Sequence, residues 1–173
     1  TLFDMLCHGH ILSKQEAKQL LFAICNQQFN ASQISAIMAL YIARPVSVNE
    51  LSGFREALLE QCIPVNLSKD AIDVCGTGGD HKNTFNISTL SAIVLAASGI
   101  PVAKHGNYGS SSVSGSSDIL LHLGYQFPKT ENELNDQLEK HNICFLHAPL
   151  FHPTLKHVVQ QRKEIGVRTF FNL

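Results

Sequence analysis

The chain has 173 residues, 45% of them hydrophobic, with 13 Lys and Arg against 14 Asp and Glu and a formal net charge of -1. That length can bury a real core but builds no more than one or two modest domains. The near-neutral balance gives no reason to expect nucleic acid or an anionic membrane as a partner.

The five cysteines (Cys7, Cys25, Cys62, Cys75 and Cys144) are odd in number and form no C-x-x-C pair, which argues against a structural zinc site or a thioredoxin-type motif. Cys25, Cys75 and Cys144 lie in apolar surroundings and read as buried, reduced thiols, in keeping with a cytoplasmic setting. No signal pattern opens the chain, and its longest apolar run, 93–100, is far short of the roughly 18 residues that span a bilayer. The expectation is a soluble protein.

The first third reads as short amphipathic helices behind capping boxes. Ser13 with Glu16 opens one, striped by Ala17, Leu20, Leu21 and Ile24. Asn30 with Gln33 is a weaker form ahead of Ile34, Ile37, Met38 and Tyr41, and Ser47 with Glu50 opens a third containing Leu51, Phe54, Ala57 and Leu58. These stripes suit the core of a small helical bundle.

After Pro64 the pattern alternates. Short strands are predicted at 72–75, 100–103 and 143–147, and helices at 89–98, closed by Gly99, and at 118–123, ended by Gly124. Thr130 with Glu133 caps a polar helix to about His141, and 153–165 reads as a further helix. Strands alternating with helices predict parallel βαβ units. The fold class expected is therefore α/β: a helical bundle over 1–65, then the first part of a mainly parallel α/β domain over 66–173, with helix 153–165 free to pack back onto the bundle. The chain ends on the apolar stretch Thr169, Phe170, Phe171, Asn172 and Leu173, as expected of a stop inside a fold or of a buried terminus.

Three glycine- and serine-rich loops punctuate this region. Gly76, Gly78 and Gly79, with Asp80 after them, follow a strand, where α/β proteins place ligands, and glycines let backbone N–H groups approach one closely. The Rossmann fingerprint fails because its third glycine would fall on His81, and no Gly-Lys-Ser/Thr completes a P-loop. Asn86, Ile87, Ser88 and Thr89 precede the apolar helix. Ser88 or Thr89 reads either as a plain N-cap or as part of a phosphate site at the helix N-terminus. Lys104, His105, Gly106 and Asn107 open the third loop, which runs through Ser110, Ser111 and Ser112 to Ser116 and Asp118. Taken singly, Lys104 is a solvated lysine and the serines a linker; taken together, the loops suit a phosphorylated or pyrophosphorylated small molecule.

At these residues the chain resembles the anthranilate phosphoribosyltransferase family. The pattern is met by residues 76–80, Thr84, 86–89, 104–107, Ser111 with Ser112, and 115–118. The resemblance implies transfer of the phosphoribosyl group of 5-phosphoribosyl 1-pyrophosphate to the amine of anthranilate in tryptophan biosynthesis, with Mg2+ and a homodimer. It implies that Gly76, Gly79, Asp80, Thr84, Asn86, Ile87, Ser88, Thr89, Lys104, His105, Gly106, Asn107, Ser111, Ser112 and Ser116 hold the phosphoribosyl donor. Ser88 would also touch magnesium, and Gly76, Asn107 and Arg162 would border anthranilate. The bland reading of Arg162 is a solvated helix charge. No residue is expected to serve as acid, base or nucleophile, and His105 lines the pocket. Tyr108 stands where the family commonly has Arg, and Val113 where Lys is frequent; each removes a positive charge. The family's Asp-Glu pair for a second magnesium lies beyond position 173, so this polypeptide alone is expected to be inactive. Two rivals remain: a pyrimidine nucleoside phosphorylase-like enzyme, and a catalytically silent relative used for binding or dimerisation.

Overall fold

The computed structural model describes residues 1–76, 84–109 and 114–172. Its elements, in chain order, are helices α1 (Leu2–Cys7), α2 (Lys14–Cys25), α3 (Ala31–Ala43), α4 (Val48–Gln61) and α5 (Ile87–Ala97), and strand β1 (Val102–Gly106). Then come α6 (Ser116–His122), α7 (Glu131–His141), β2 (Ile143–His147), a single turn α8 (Ala148–Phe151), a 3-10 turn Pro153–Val158, α9 (Val159–Ile165) and a 3-10 turn Phe170–Asn172. They form two compact units, Thr1–Cys62 with His152–Leu173, and Ile63–Phe151.

The first unit is helical. Its helices start where short-range chemistry places them: Ser13, Asn30 and Ser47 accept the N–H of Glu16, Gln33 and Glu50 at 3.3, 2.9 and 3.2 Å, and those side chains reach back to the cap N–H. Helix α1, unforeseen in the sequence, has the same box between Thr1 and Asp4. Leu20, Leu21, Ile24, Ile37 and Met38 bury fully with Leu6, Leu12, Phe54, Val158 and Phe170. Gly53 lets α4 lie against α2, since a Cβ there would stand 2.2 Å from the Lys14 carbonyl oxygen. The predicted helix 153–165 is instead the 3-10 turn followed by α9.

The second unit holds a parallel pair in which Val102 faces Ile143 and Gly106 faces His147. The helices before each strand cover it, and the period-2 alternation sorts side chains to two clusters: Val102 with Ala92 and Ala96 of α5, and Ala103 and Cys144 with Leu134 and Leu138 of α7. Two strand expectations need correction. The one at 72–75 is a single bridge, Ile72 to Val102, because the Asp73 carboxylate takes the Cys75 N–H at 2.8 Å and turns the chain out of the ladder. The one at 100–103 is displaced to Val102–Gly106: Ile100 is exposed, Pro101 has no N–H to donate, and pairing with β2 sets the register. Cys25 and Cys144 are buried as expected, but Cys75 is exposed. Among the described residues no helix is long and apolar enough to cross a membrane.

Candidate active site

The ends of the second unit's parallel segments carry the candidate loops. Asp73 joins two of them: one carboxylate oxygen accepts the Cys75 N–H at 2.8 Å and the His105 N–H at 3.2 Å. Sequence reading missed this residue, although an Asp three positions before a glycine is a turn signal. Partial desolvation by its neighbours raises the Cys75 thiol above its ordinary value and Asp73 adds to it, while Lys104 opposes. Gly76 faces the start of α5, the position of its absent Cβ lying 3.4 Å from Ser88 Oγ. Gly79 and Asp80 lie outside the described residues; Thr84 is exposed.

Helix α5 begins at Ile87, so Ser88 and Thr89 occupy its first turn and are not its caps. Asn86 holds the N-cap position without a side-chain bond to the helix. Thr89 is buried, and its Oγ1 has no hydrogen-bond partner among the described residues. A hydroxyl and a helix N-terminus that the described residues leave unsatisfied, where the helix dipole is positive, suit an anionic oxygen.

Lys104 lies inside β1, not in a loop, and is only 2% exposed; its Nζ donates to the His105 carbonyl at 3.1 Å. The solvated reading of this lysine is therefore corrected: β-pairing with Phe145 carries its stem into the core. Burial is the main force that pushes the His105 imidazole below its ordinary pKa; Lys104 adds and Asp73 opposes. A neutral His105 lines the site without adding charge.

The returning limb is held by one backbone and two side-chain acceptors. Asn107 O accepts the Ser117 N–H at 3.2 Å and the Ser116 hydroxyl at 3.4 Å, and Asn107 Oδ1 accepts the Tyr108 N–H at 2.8 Å. Asp118 clamps both ends of the serine loop, taking the N–H of Gly109 at 2.8 Å and of Gly115 at 2.7 Å. A Cβ on Gly115 would stand 2.2 Å from Gly109 N, a backbone clash that requires glycine, and one on Gly106 would stand 2.6 Å from Ser116 Oγ and displace that hydroxyl. Ser111, Ser112 and Val113 lie outside the described residues. Gly76, Ser88, Asp73, His105, Gly106, Asn107 and Ser116 are thus linked within one unit.

Arg162 belongs to α9 of the other unit. It is half-buried, its guanidinium 5.4 Å from the Phe171 ring centre, and burial lowers its pKa. The solvated-charge reading does not hold for it. Among the described residues, no group of three or more His, Cys, Asp or Glu is arranged to hold a metal ion.

Residues 1–62 match the helical bundle domain of a glycosyl transferase family, and 68–173 match the a/b domain of the same family. The chain belongs to this glycosyl transferase family. It is similar to anthranilate phosphoribosyltransferase of Flavobacterium psychrophilum, 53% identical over 99% of this chain and 52% of that protein, and to that of Cytophaga hutchinsonii, 52% identical over 99% and 53%. Among solved structures it resembles anthranilate phosphoribosyltransferase from Thermus thermophilus, with a TM-score of 0.87 and 33% identity over 99% of this chain and 52% of that one. It also resembles the Saccharomyces cerevisiae enzyme in complex with PRPP and Mg, with a TM-score of 0.82 and 29% identity over 93% and 49%. The chain spans about half the length of these relatives.

Proposed function

We propose that the protein transfers the phosphoribosyl group of 5-phosphoribosyl 1-pyrophosphate (PRPP) to the amine of anthranilate, releasing pyrophosphate, as a step of tryptophan biosynthesis. The observation that carries the reading is the start of α5, which among the described residues has no side-chain cap and no partner for the buried Thr89 hydroxyl, in a unit where Asp73 ties the segment before Gly76 to the end of β1. Gly76, Thr84, Asn86, Ile87, Ser88, Thr89, Lys104, His105, Gly106, Asn107 and Ser116, together with Gly79, Asp80, Ser111 and Ser112, would hold the donor. Gly76, Asn107 and Arg162 would border anthranilate, whose carboxylate suits the planar fork of a guanidinium.

As the bond from ribose C1 to the pyrophosphate oxygen lengthens, positive charge builds on the sugar and negative charge on the leaving group. Backbone N–H groups and Lys104, already fixed by β1, meet that negative charge without reorganising. The anthranilate amine forms the new C–N bond and then releases its proton, so no protein nucleophile is needed. Magnesium fits this donor set: a hard cation prefers oxygen, which the Ser88 hydroxyl and the donor's own phosphate oxygens would supply. When bound, the ion neutralises charge on the departing pyrophosphate. The reading includes a cytoplasmic homodimer.

The test is the fluorescence of anthranilate, followed with the protein at the length in which the cell makes it. Depletion that requires PRPP and magnesium together, and stops on chelation, is the expected result. A folded protein that leaves the fluorescence unchanged with both present overturns the assignment.

A further inference from the structure

His147 closes β2 opposite Gly106, where the Lys104 run leaves the sheet, and none of the loop motifs contains it. It is 5% exposed. Its Nδ1 lies 2.9 Å from the hydroxyl of Ser117, which is also buried. Phe127 stacks on the imidazole at 4.5 Å and 22°, and Tyr108 meets it edge-on at 4.8 Å and 84°. Ser117 in turn donates its N–H to Asn107 O, and Tyr108 donates its own to Asn107 Oδ1. One ring on a rigid strand therefore holds the limb around Asn107 twice, through a hydroxyl and through an aromatic face. Burial lowers the imidazole's pKa, with His105 adding and Asp118 opposing, so the ring is neutral and free to share a proton with Ser117. A phenyl ring would keep the stacking alone, and a glutamine the hydrogen bond alone.

We propose that His147 is a positioning residue for the phosphoribosyl donor, fixing Asn107 and Tyr108 through the Ser117 hydroxyl and the two aromatic contacts. The inference rests on the proposed function, which supplies the donor. Its physical basis is pre-organisation: backbone groups displaced by even 1 Å lose much of their hold on a multiply charged ligand.

PRPP is titrated calorimetrically, with magnesium, into the protein at its cellular length, and steady-state constants are measured alongside. The unaltered protein is compared with His147→Ala, His147→Phe, His147→Gln, Tyr108→Ala and the His147→Ala/Tyr108→Ala double variant. His147→Ala is expected to raise Kd and KM for PRPP about tenfold and, because Asn107 also borders anthranilate, KM for anthranilate by a smaller factor. His147→Phe and His147→Gln fall between, and the double variant costs less than the product of the singles, because both act on one limb. A lowered melting temperature with unchanged PRPP constants means core filling alone and overturns the inference. If His147→Ala does not fold, Tyr108→Ala and His147→Phe decide, and unchanged constants in both overturn it. Donor binding by the unaltered protein, with equal constants in every variant, overturns this inference alone. No donor binding by the unaltered protein overturns the proposed function and this inference with it.

Discussion

Glu50 gives the sharpest quantitative handle on the helical unit. It sits in the first turn of α4, fully buried, and its carboxylate accepts five hydrogen bonds. Oε1 takes the Leu12 N–H at 3.1 Å, the Tyr41 hydroxyl at 3.0 Å and Arg44 Nη2 at 2.5 Å; Oε2 takes Arg44 Nη1 at 3.0 Å and the Ser47 N–H at 2.9 Å. Burial alone would raise its pKa, but the Arg44 fork and the N–H donors of Ser47 and Leu12 outweigh it and hold the carboxyl at about 2, against an ordinary 4.5. That gap of about 2.5 units corresponds to about 3 kcal/mol of folding stability. The lowered value fixes the sign: the contribution is complete above pH 4.5 and disappears as the pH falls towards 2, with about 2 kcal/mol gone by pH 3. Glu50→Gln keeps the shape but turns a donor towards Arg44 and Ser47, so it should cost about 3 kcal/mol at neutral pH. Urea unfolding of both proteins, repeated from pH 7 to pH 3, should show a wide gap that narrows with acid. A gap below about 1 kcal/mol at pH 7, or one that stays constant with pH, would refute the reasoning.

Two glycines extend the test to backbone packing. Gly53→Ala should gain about 1 kcal/mol in helix propensity, yet the new Cβ would stand 2.2 Å from Lys14 O and 2.9 Å from Ala17 Cβ. A net loss of about 2 kcal/mol in thermal melts is expected, and a raised melting temperature would contradict the close approach of α2 and α4. Gly115→Ala drives a methyl group into Gly109 N and the Tyr108 carbonyl carbon, at 2.2 and 2.5 Å. Calorimetric affinity for PRPP should fall at least about tenfold. An unchanged affinity would mean that this limb does not touch the donor.

What was legible in the sequence is what acts within four residues. The boxes at Ser13, Asn30, Ser47 and Thr130 mark helix starts that the structure contains, because cap and partner are three positions apart. The same signal, in Thr1 and Asp4, marks α1. The limits of β2 were legible, 143–147 as expected, but those of β1 were not, since it takes its register from β2 about forty residues later and Pro101 cannot enter the ladder. For that reason Lys104, read alone as a loop lysine, is a buried strand residue.

The candidate site divides along the same line. Its glycines, serines and lysine form a dense local pattern. The groups that aim them are distant: Asp73 reaches His105 across 32 positions, and His147 reaches Ser117 across 30. A backbone N–H presented to a ligand carries no side-chain signature of its own, so a sequence records where glycine is needed but not what fixes the peptide plane beside it. Tyr108 shows the consequence. Read in the sequence it is a lost positive charge; in the fold it is a ring seated on His147. Under the proposed function its effect on donor affinity would depend on a strand residue that no loop motif contains, and a variant of that residue separates charge from placement.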